Sequence, residues 1–369
     1  MKKFLFFIII IVVSFSFFIF GYSLNQNPSL LFNTNISNDS SDLFEDFSKE
    51  TLANFDVKSI IHIQNIDDIS KIRNNLVDYI FKENEFLEKM PNEIRKNIEN
   101  ENYSSISNLK QIDKITIIMK HNVNSISFLF HPINSNNQLI IYHQGHSGDF
   151  YNEKNSIETF LNDGFTVLAF SMPLLGNNNN PILDHDSFGK IKLISHKQFV
   201  LLETNSFSPI QYFVEPVIIS LNYLDKNYNF DSYNMVGISG GGWTTTLVSA
   251  IDERINDSFS ISGSYPIYLR FQSKNLGDYE QLEPKLYNVA NYLDMYILSS
   301  IGQNRSHTQI FIKDDPCCFG DGEFVHYHQI LMDHVTTLDG SFRIIEDDSI
   351  HSHSISETTS KLISDSILE

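Results

Sequence analysis

The stretch Gly237-Ile238-Ser239-Gly240-Gly241-Gly242 constrains what this chain can fold into more than any other. It lies between a short apolar run at 233–236, expected as a buried strand, and a helical pattern over 243–251. A serine at such a strand-to-helix junction must sit on a sharp turn with strained backbone angles, so its neighbours have to be small. Its Oγ then projects above the edge of a sheet, and the next backbone N–H points into the same space. A phosphate-binding loop is the competing reading of so many glycines. The pattern G-x-x-x-x-G-K-[ST] is not met, however, because no lysine follows.

The flanking sequence alternates between the two periodicities. Residues 115–119 and 125–130 read as a β-hairpin around 122–124, and 139–142 and 166–170 as short buried strands. Helical patterns cover 153–161 and 210–224. Beyond the elbow, strands are expected near 259–262, 309–312 and 342–345, with helices over 324–335 and 357–368. Strands alternating with helices predict an α/β fold, a mostly parallel central sheet with helices on both faces. Residues 111–369 form the expected catalytic domain, with irregular insertions near 172–206 and 263–306. Ahead of it, Ile72, Leu76, Ile80, Phe86 and Leu87 fall at helical spacing, and Pro91 splits the pattern. Residues 66–110 therefore read as a helical N-terminal extension, and 24–65 as an irregular tether rich at its start in Asn, Ser and Asp.

The first 23 residues carry an address. Lys2 and Lys3 precede an apolar run from Phe4 to Phe20 broken only by Ser14 and Ser16. Its 17 residues are short for a membrane span (~17–25) and long for the core of a signal peptide (~7–15). Gly21-Tyr22-Ser23 has the small-x-small form of a cleavage site. Export is expected either way, with the domain anchored outside the cytoplasm or released, and any membrane contact made through residues 4–20. The formal charge is −19, or −21 without that segment, from 24 basic and 45 acidic residues. Such a chain is repelled by nucleic acid and by anionic lipid headgroups. The only cysteines are the neighbours Cys317 and Cys318, which rules out a disulfide framework and a zinc site built on Cys pairs.

Strand, elbow, helix and later acidic and histidine-bearing loops resemble the α/β-hydrolase superfamily over roughly 111–369. Within that span, Met235-Val236-Gly237-Ile238-Ser239-Gly240-Gly241-Gly242-Trp243-Thr244-Thr245 and Asp315-Pro316-Cys317-Cys318-Phe319 are similar to a group of poorly characterised bacterial hydrolase-like proteins. The resemblance implies a Ser-His-Asp triad with Ser239 as nucleophile. It implies a second oxyanion donor in Tyr142-His143-Gln144-Gly145-His146-Ser147-Gly148, beside the N–H of Gly240. The backbone of His146 is the first candidate and Gln144 the alternate. The acid is expected after the penultimate strand, at Asp315 with Asp314 as alternate; Asp278 and Glu280 are rivals. The base is expected in the last loop, at His353 with His351 as alternate. The order Ser239, Asp315, His353 is the one such a fold uses.

These residues imply hydrolysis of a carboxylic ester or related acyl bond in a small-molecule ester or peptide substrate, with no metal or organic cofactor. A peptidase of the same fold and a non-catalytic binding protein are the alternatives. As metal ligands, His143 and His146 have no acidic partner fixed beside them by the sequence. His185 between Asp184 and Asp186 reads as an exposed loop, and His326, His328 and His334 do not share one helix face. Tyr265, Tyr268, Phe271 and Tyr279 either line an apolar cleft or pack inside a lid.

Overall fold

The computed structural model describes residues 52, 54–82, 88–270 and 277–369. The expected signal segment at 1–23, most of the expected tether and Phe271 lie outside the described residues. No helix among the described residues is long and apolar enough to cross a membrane.

Helix α1 (Ile66–Phe81) starts at a capping box between Asn65 and Asp68 and ends where Lys82 turns left-handed. Its buried Arg73 donates to the carbonyls of Ala250 and Leu298 and pairs with Glu253, which fixes the helix on the domain. The helical character expected through 110 does not continue. Glu93–Arg95 is strand β1, paired antiparallel with β2 (Leu109–Ile118). Next come β3 (Asn124–Pro132), β4 (Gln138–His143), α2 (Lys154–Asn162) and β5 (Thr166–Phe170). The first insertion is less irregular than its composition implies. It holds the hairpin β6 (Ile182–His185) and β7 (Gly189–Lys192), then a 3-10 helix, His196–Leu202. Helix α3 (Gln211–Asn227), β8 (Ser232–Ile238), α4 (Gly240–Ile251) and β9 (Ile255–Ile261) follow. The second insertion carries α5 (Tyr279–Leu282), α6 (Pro284–Val289) and α7 (Tyr292–Ser300). The chain closes with β10 (Ser306–Ile312), α8 (His328–Thr337), β11 (Phe342–Asp347) and α9 (Glu357–Leu368).

The main sheet has the order β1-β2-β3-β5-β4-β8-β9-β10-β11. Its strands run parallel from β5 to β11, and the antiparallel pairs lie on the β1 side. Strands β4 and β5 are apolar along nearly their whole length because both sheet faces are covered. On one face Ile140, Tyr142, Val167, Val236 and Ile310 pack with Ile157 and Phe160 of α2 and Ile363 of α9. The opposite face is covered chiefly by α4, whose residues are all buried. Parallel strands covered on both faces place a crevice beyond their carboxyl ends, and the chemically interesting loops converge there.

Candidate active site

Ser239 has φ 56° and ψ −127°, backbone angles that non-glycine residues rarely adopt. Two bonds hold it in place: its N–H donates to Ile261 O (2.8 Å) and its carbonyl accepts from Trp243 N–H (3.0 Å). Crowding explains the surrounding glycines. A Cβ on Gly241 would run into the carbonyl of His143, and one on Gly145 would sit 2.6 Å from Ser239 Cβ. The loop after β4 is thus pressed directly against the serine.

That loop has a definite donor inventory. Gln144 N–H is committed to Phe170 O (2.9 Å) and Gly145 N–H to the Gln144 side chain (3.1 Å). The Gln144 N–H is therefore already engaged within the fold. His146 N–H has no acceptor among the described residues, and Gly240 N–H is a first-turn donor that a helix leaves without an intrahelical partner. His143 plays no part in this. Its Nδ1 meets Gln144 O at 3.0 Å, and burial pushes its pKa down to about 4.

Asp315 and His353 meet across 2.7 Å, from carboxylate Oδ2 to Nδ1. Asp315 Oδ1 accepts the N–H groups of Cys317 (2.8 Å) and Cys318 (3.2 Å), in the turn that Pro316 shapes. Burial alone raises the carboxyl pKa, but the His353 contact, the Cys317 N–H and a bond from Ser262 outweigh it and hold Asp315 below the usual range. His353 Nε2 is buried with no hydrogen-bond partner among the described residues. Ser239 and His353 line the same cavity, of about 280 Å³, with His146, Ser262 and the disulfide-bonded Cys317 and Cys318 also on its wall. The alternates stand apart. Asp314 is exposed, and His351 is exposed with only a 3.5 Å approach to Lys313 O.

Asp278 and Glu280, the rival acids, approach other histidines. His146 Nε2 lies 3.4 Å from Asp278 Oδ2 and 3.1 Å from Glu280 Oε1, and His196 Nδ1 lies 3.5 Å from Glu280 Oε2. Sequence reasoning missed both Ser262 and His196; nothing local to either residue distinguishes it. His185 uses both ring nitrogens within its own insertion, on Leu201 O and Ser187 N–H. Tyr265 is buried and donates to Phe319 O and Asp321, so it packs inside the fold and does not line the cavity. Tyr279 likewise donates inward, to Glu203 (2.8 Å). Tyr268 stacks on Phe55.

No protein-family model matches the chain. No curated protein matches its sequence either. Solved structures do. An acetyl xylan esterase from Paenibacillus sp. R4 superimposes with a TM-score of 0.57 at 13% identity, covering 85% of this chain and 99% of that one. Acetyl xylan esterase 1 from Thermoanaerobacterium sp. JW/SL YS485 gives 0.52 at 14% identity, with coverage of 84% and 96%. A glucuronoyl esterase from Solibacter usitatus gives 0.51 at 11% identity, with coverage of 80% and 90%. At such identities the likeness speaks for architecture, and with the sheet order and the Ser239 elbow it establishes that this chain has the α/β-hydrolase fold.

Proposed function

We propose that the protein is a serine esterase acting on small carboxylic esters, short acyl groups first among them. The observation that carries this reading is the Asp315–His353 pair, whose free Nε2 belongs to a residue on the same cavity wall as Ser239. His353 Nε2 takes the proton of Ser239 Oγ as the oxygen attacks the ester carbonyl. The tetrahedral oxyanion is held by the N–H groups of Gly240 and His146. His353 then returns the proton to the departing alcohol, leaving an acyl-serine. Water, activated by the same imidazole, releases the acid and restores Ser239. Asp315 orients the imidazole and offsets its positive charge.

Two further facts support an ester of modest size. The cavity, at about 280 Å³, is small for a ligand pocket, where ~300–1,000 Å³ is usual. The structural neighbours include proteins named as acetyl xylan esterases and a glucuronoyl esterase. The basic-then-apolar start of the chain supports export of the domain.

The test is labelling of the purified protein with a fluorophosphonate, alongside hydrolysis of p-nitrophenyl acetate and of a chromogenic short peptide. Labelling and acetate hydrolysis that both vanish in Ser239→Ala are expected. A folded protein that neither labels nor turns over would refute the proposal in favour of a binding role. Peptide cleavage without ester cleavage would move it to the peptidases.

A further inference from the structure

His146, His196, Asp278 and Glu280 come from three separate segments, the loop after β4 and both insertions. One ligand atom from each lies within 4.8 Å of all the others. A tetrahedral zinc ion with bonds of ~2.0–2.2 Å needs its ligands about 3.3–3.6 Å apart. The separations here are 3.0 Å between His146 Nε2 and His196 Nδ1, 3.1 and 3.4 Å from His146 Nε2 to Glu280 and Asp278, and 3.5 Å from His196 Nδ1 to Glu280.

Three independent features point the same way. The Glu280 side chain is fully buried, and among the described residues its two carboxylate oxygens meet only the imidazoles, His146 Nε2 at 3.1 Å and His196 Nδ1 at 3.5 Å. A buried carboxylate is expensive to hold unless a cation compensates it. Secondly, His196 Nε2 meets the carbonyl of Pro173 at 2.7 Å, which fixes the tautomer with the proton there and a lone pair on Nδ1. A backbone carbonyl on the far nitrogen is the usual outer partner of a metal-bound histidine. The ring is further clamped by Phe199 and Phe213. Thirdly, two carboxylates and two neutral imidazoles make a ligand set whose charge a divalent ion cancels, and imidazole with carboxylate suits zinc and its neighbours.

We propose that these four side chains form a binding site for a divalent transition-metal ion, zinc foremost, which pins the two insertions to the loop bearing His146. All four positions are filled by protein, the form of a structural and not a hydrolytic zinc site. The ring of His146 packs over Gly240, where an added Cβ would lie 2.6 Å from its Cε1. An ion on His146 Nε2 would therefore hold rigid the backbone beside Ser239. The site stands whether or not the protein is an esterase, because its test reads metal and not turnover.

The full-length protein, stripped with a chelator, is titrated with Zn²⁺ against a fluorescent competitor and, separately, with Co²⁺ followed by visible absorption. One equivalent of Zn²⁺ and an intense Co²⁺ d–d band typical of four-coordination are expected. His196→Ala and Glu280→Gln should each lower Zn²⁺ affinity by at least about 100-fold. Asp278→Asn, at a partly exposed position that tolerates change, should lower it by about tenfold and keeps the test open if the buried variants misfold. Wild-type protein with neither a bound equivalent of Zn²⁺ nor a Co²⁺ band would overturn the proposal. So would an Asp278→Asn protein that binds as tightly as wild type.

Discussion

His353 Nδ1 lies 2.7 Å from Asp315 Oδ2, and the opposite nitrogen of the same ring is buried without a partner among the described residues. An imidazole so arranged has one tautomer fixed by a carboxylate and a basic lone pair left for a proton from elsewhere.

Asp315→Asn keeps the shape of the contact but reverses which nitrogen is protonated. Turnover of p-nitrophenyl acetate should fall by roughly 10³–10⁴-fold. His351→Ala, at the exposed neighbouring position, should leave the rate within about twofold, as surface changes away from a site usually do. Steady-state kinetics on the two variants distinguish the histidines. Loss in the second and retention in the first would reverse the assignment.

Gly145 tests the proposed oxyanion loop without substituting a residue of the proposed triad, although the added methyl presses on Ser239. An alanine there would place its Cβ 2.6 Å from Ser239 Cβ and 2.7 Å from Ile238 O, so the loop must back away and carry His146 N–H with it. Gly145→Ala should cost about 10²–10³ in kcat, comparable to removing one oxyanion donor. Its circular dichroism should remain that of wild type. Unchanged kcat would mean that His146 N–H is not a donor to the transition state.

The parts of this fold that were legible in the sequence are those whose stability is local. Strand β5 is an uninterrupted apolar run, and α9 opens on Ser356, which caps Thr359 N–H; both were readable to the residue. The elbow was equally plain, because a strained serine demands small neighbours wherever it occurs. Strand β1 was hidden for the opposite reason. Its three residues, Glu93-Ile94-Arg95, are largely exposed and become a strand only by pairing with β2. The hairpin β6–β7 was missed on the same grounds, being a polar two-stranded unit inside an Asn-rich insertion. Glu280 read as a possible acid because its local sequence allows it. Only the fold brings His146 and His196 to it, a juxtaposition no spacing encodes.

Glu153 gives a pH signature. Burial pushes its pKa up from 4.5 to about 7, although the N–H of Ile355 and the nearby His353 pull it down. A carboxyl raised on folding binds its proton more tightly in the native state, so stability is full below about pH 4.5 and falls as pH rises towards 7. Glu153→Gln removes that titration. Relative to wild type, the variant should gain about 2–3 kcal/mol between pH 4 and pH 8. Urea unfolding at the two pH values measures it, and a difference that does not change with pH would show that Glu153 is not perturbed.

The second insertion depends on a polar network beneath it, with Tyr287 at the centre. Its hydroxyl accepts from Trp243 Nε1 (2.8 Å), is 2.7 Å from Tyr292 OH and lies 3.0 Å from the carbonyl of Glu280. All three aromatic residues are buried, so water cannot replace a lost partner. Tyr287→Phe leaves the indole N–H and the Glu280 carbonyl unsatisfied, at a cost of about 1–3 kcal/mol in global stability. The same change loosens the segment that places Asp278 and Gln281 on the cavity wall while leaving Ser239, His353 and Asp315 in place. KM should therefore rise several-fold with kcat little altered, since substrate contacts at the cavity rim are lost and the reacting groups are not. Denaturant melts and Michaelis–Menten curves on one preparation test both halves. A fall in kcat at constant KM would mean that the insertion acts on the triad itself and not on the rim.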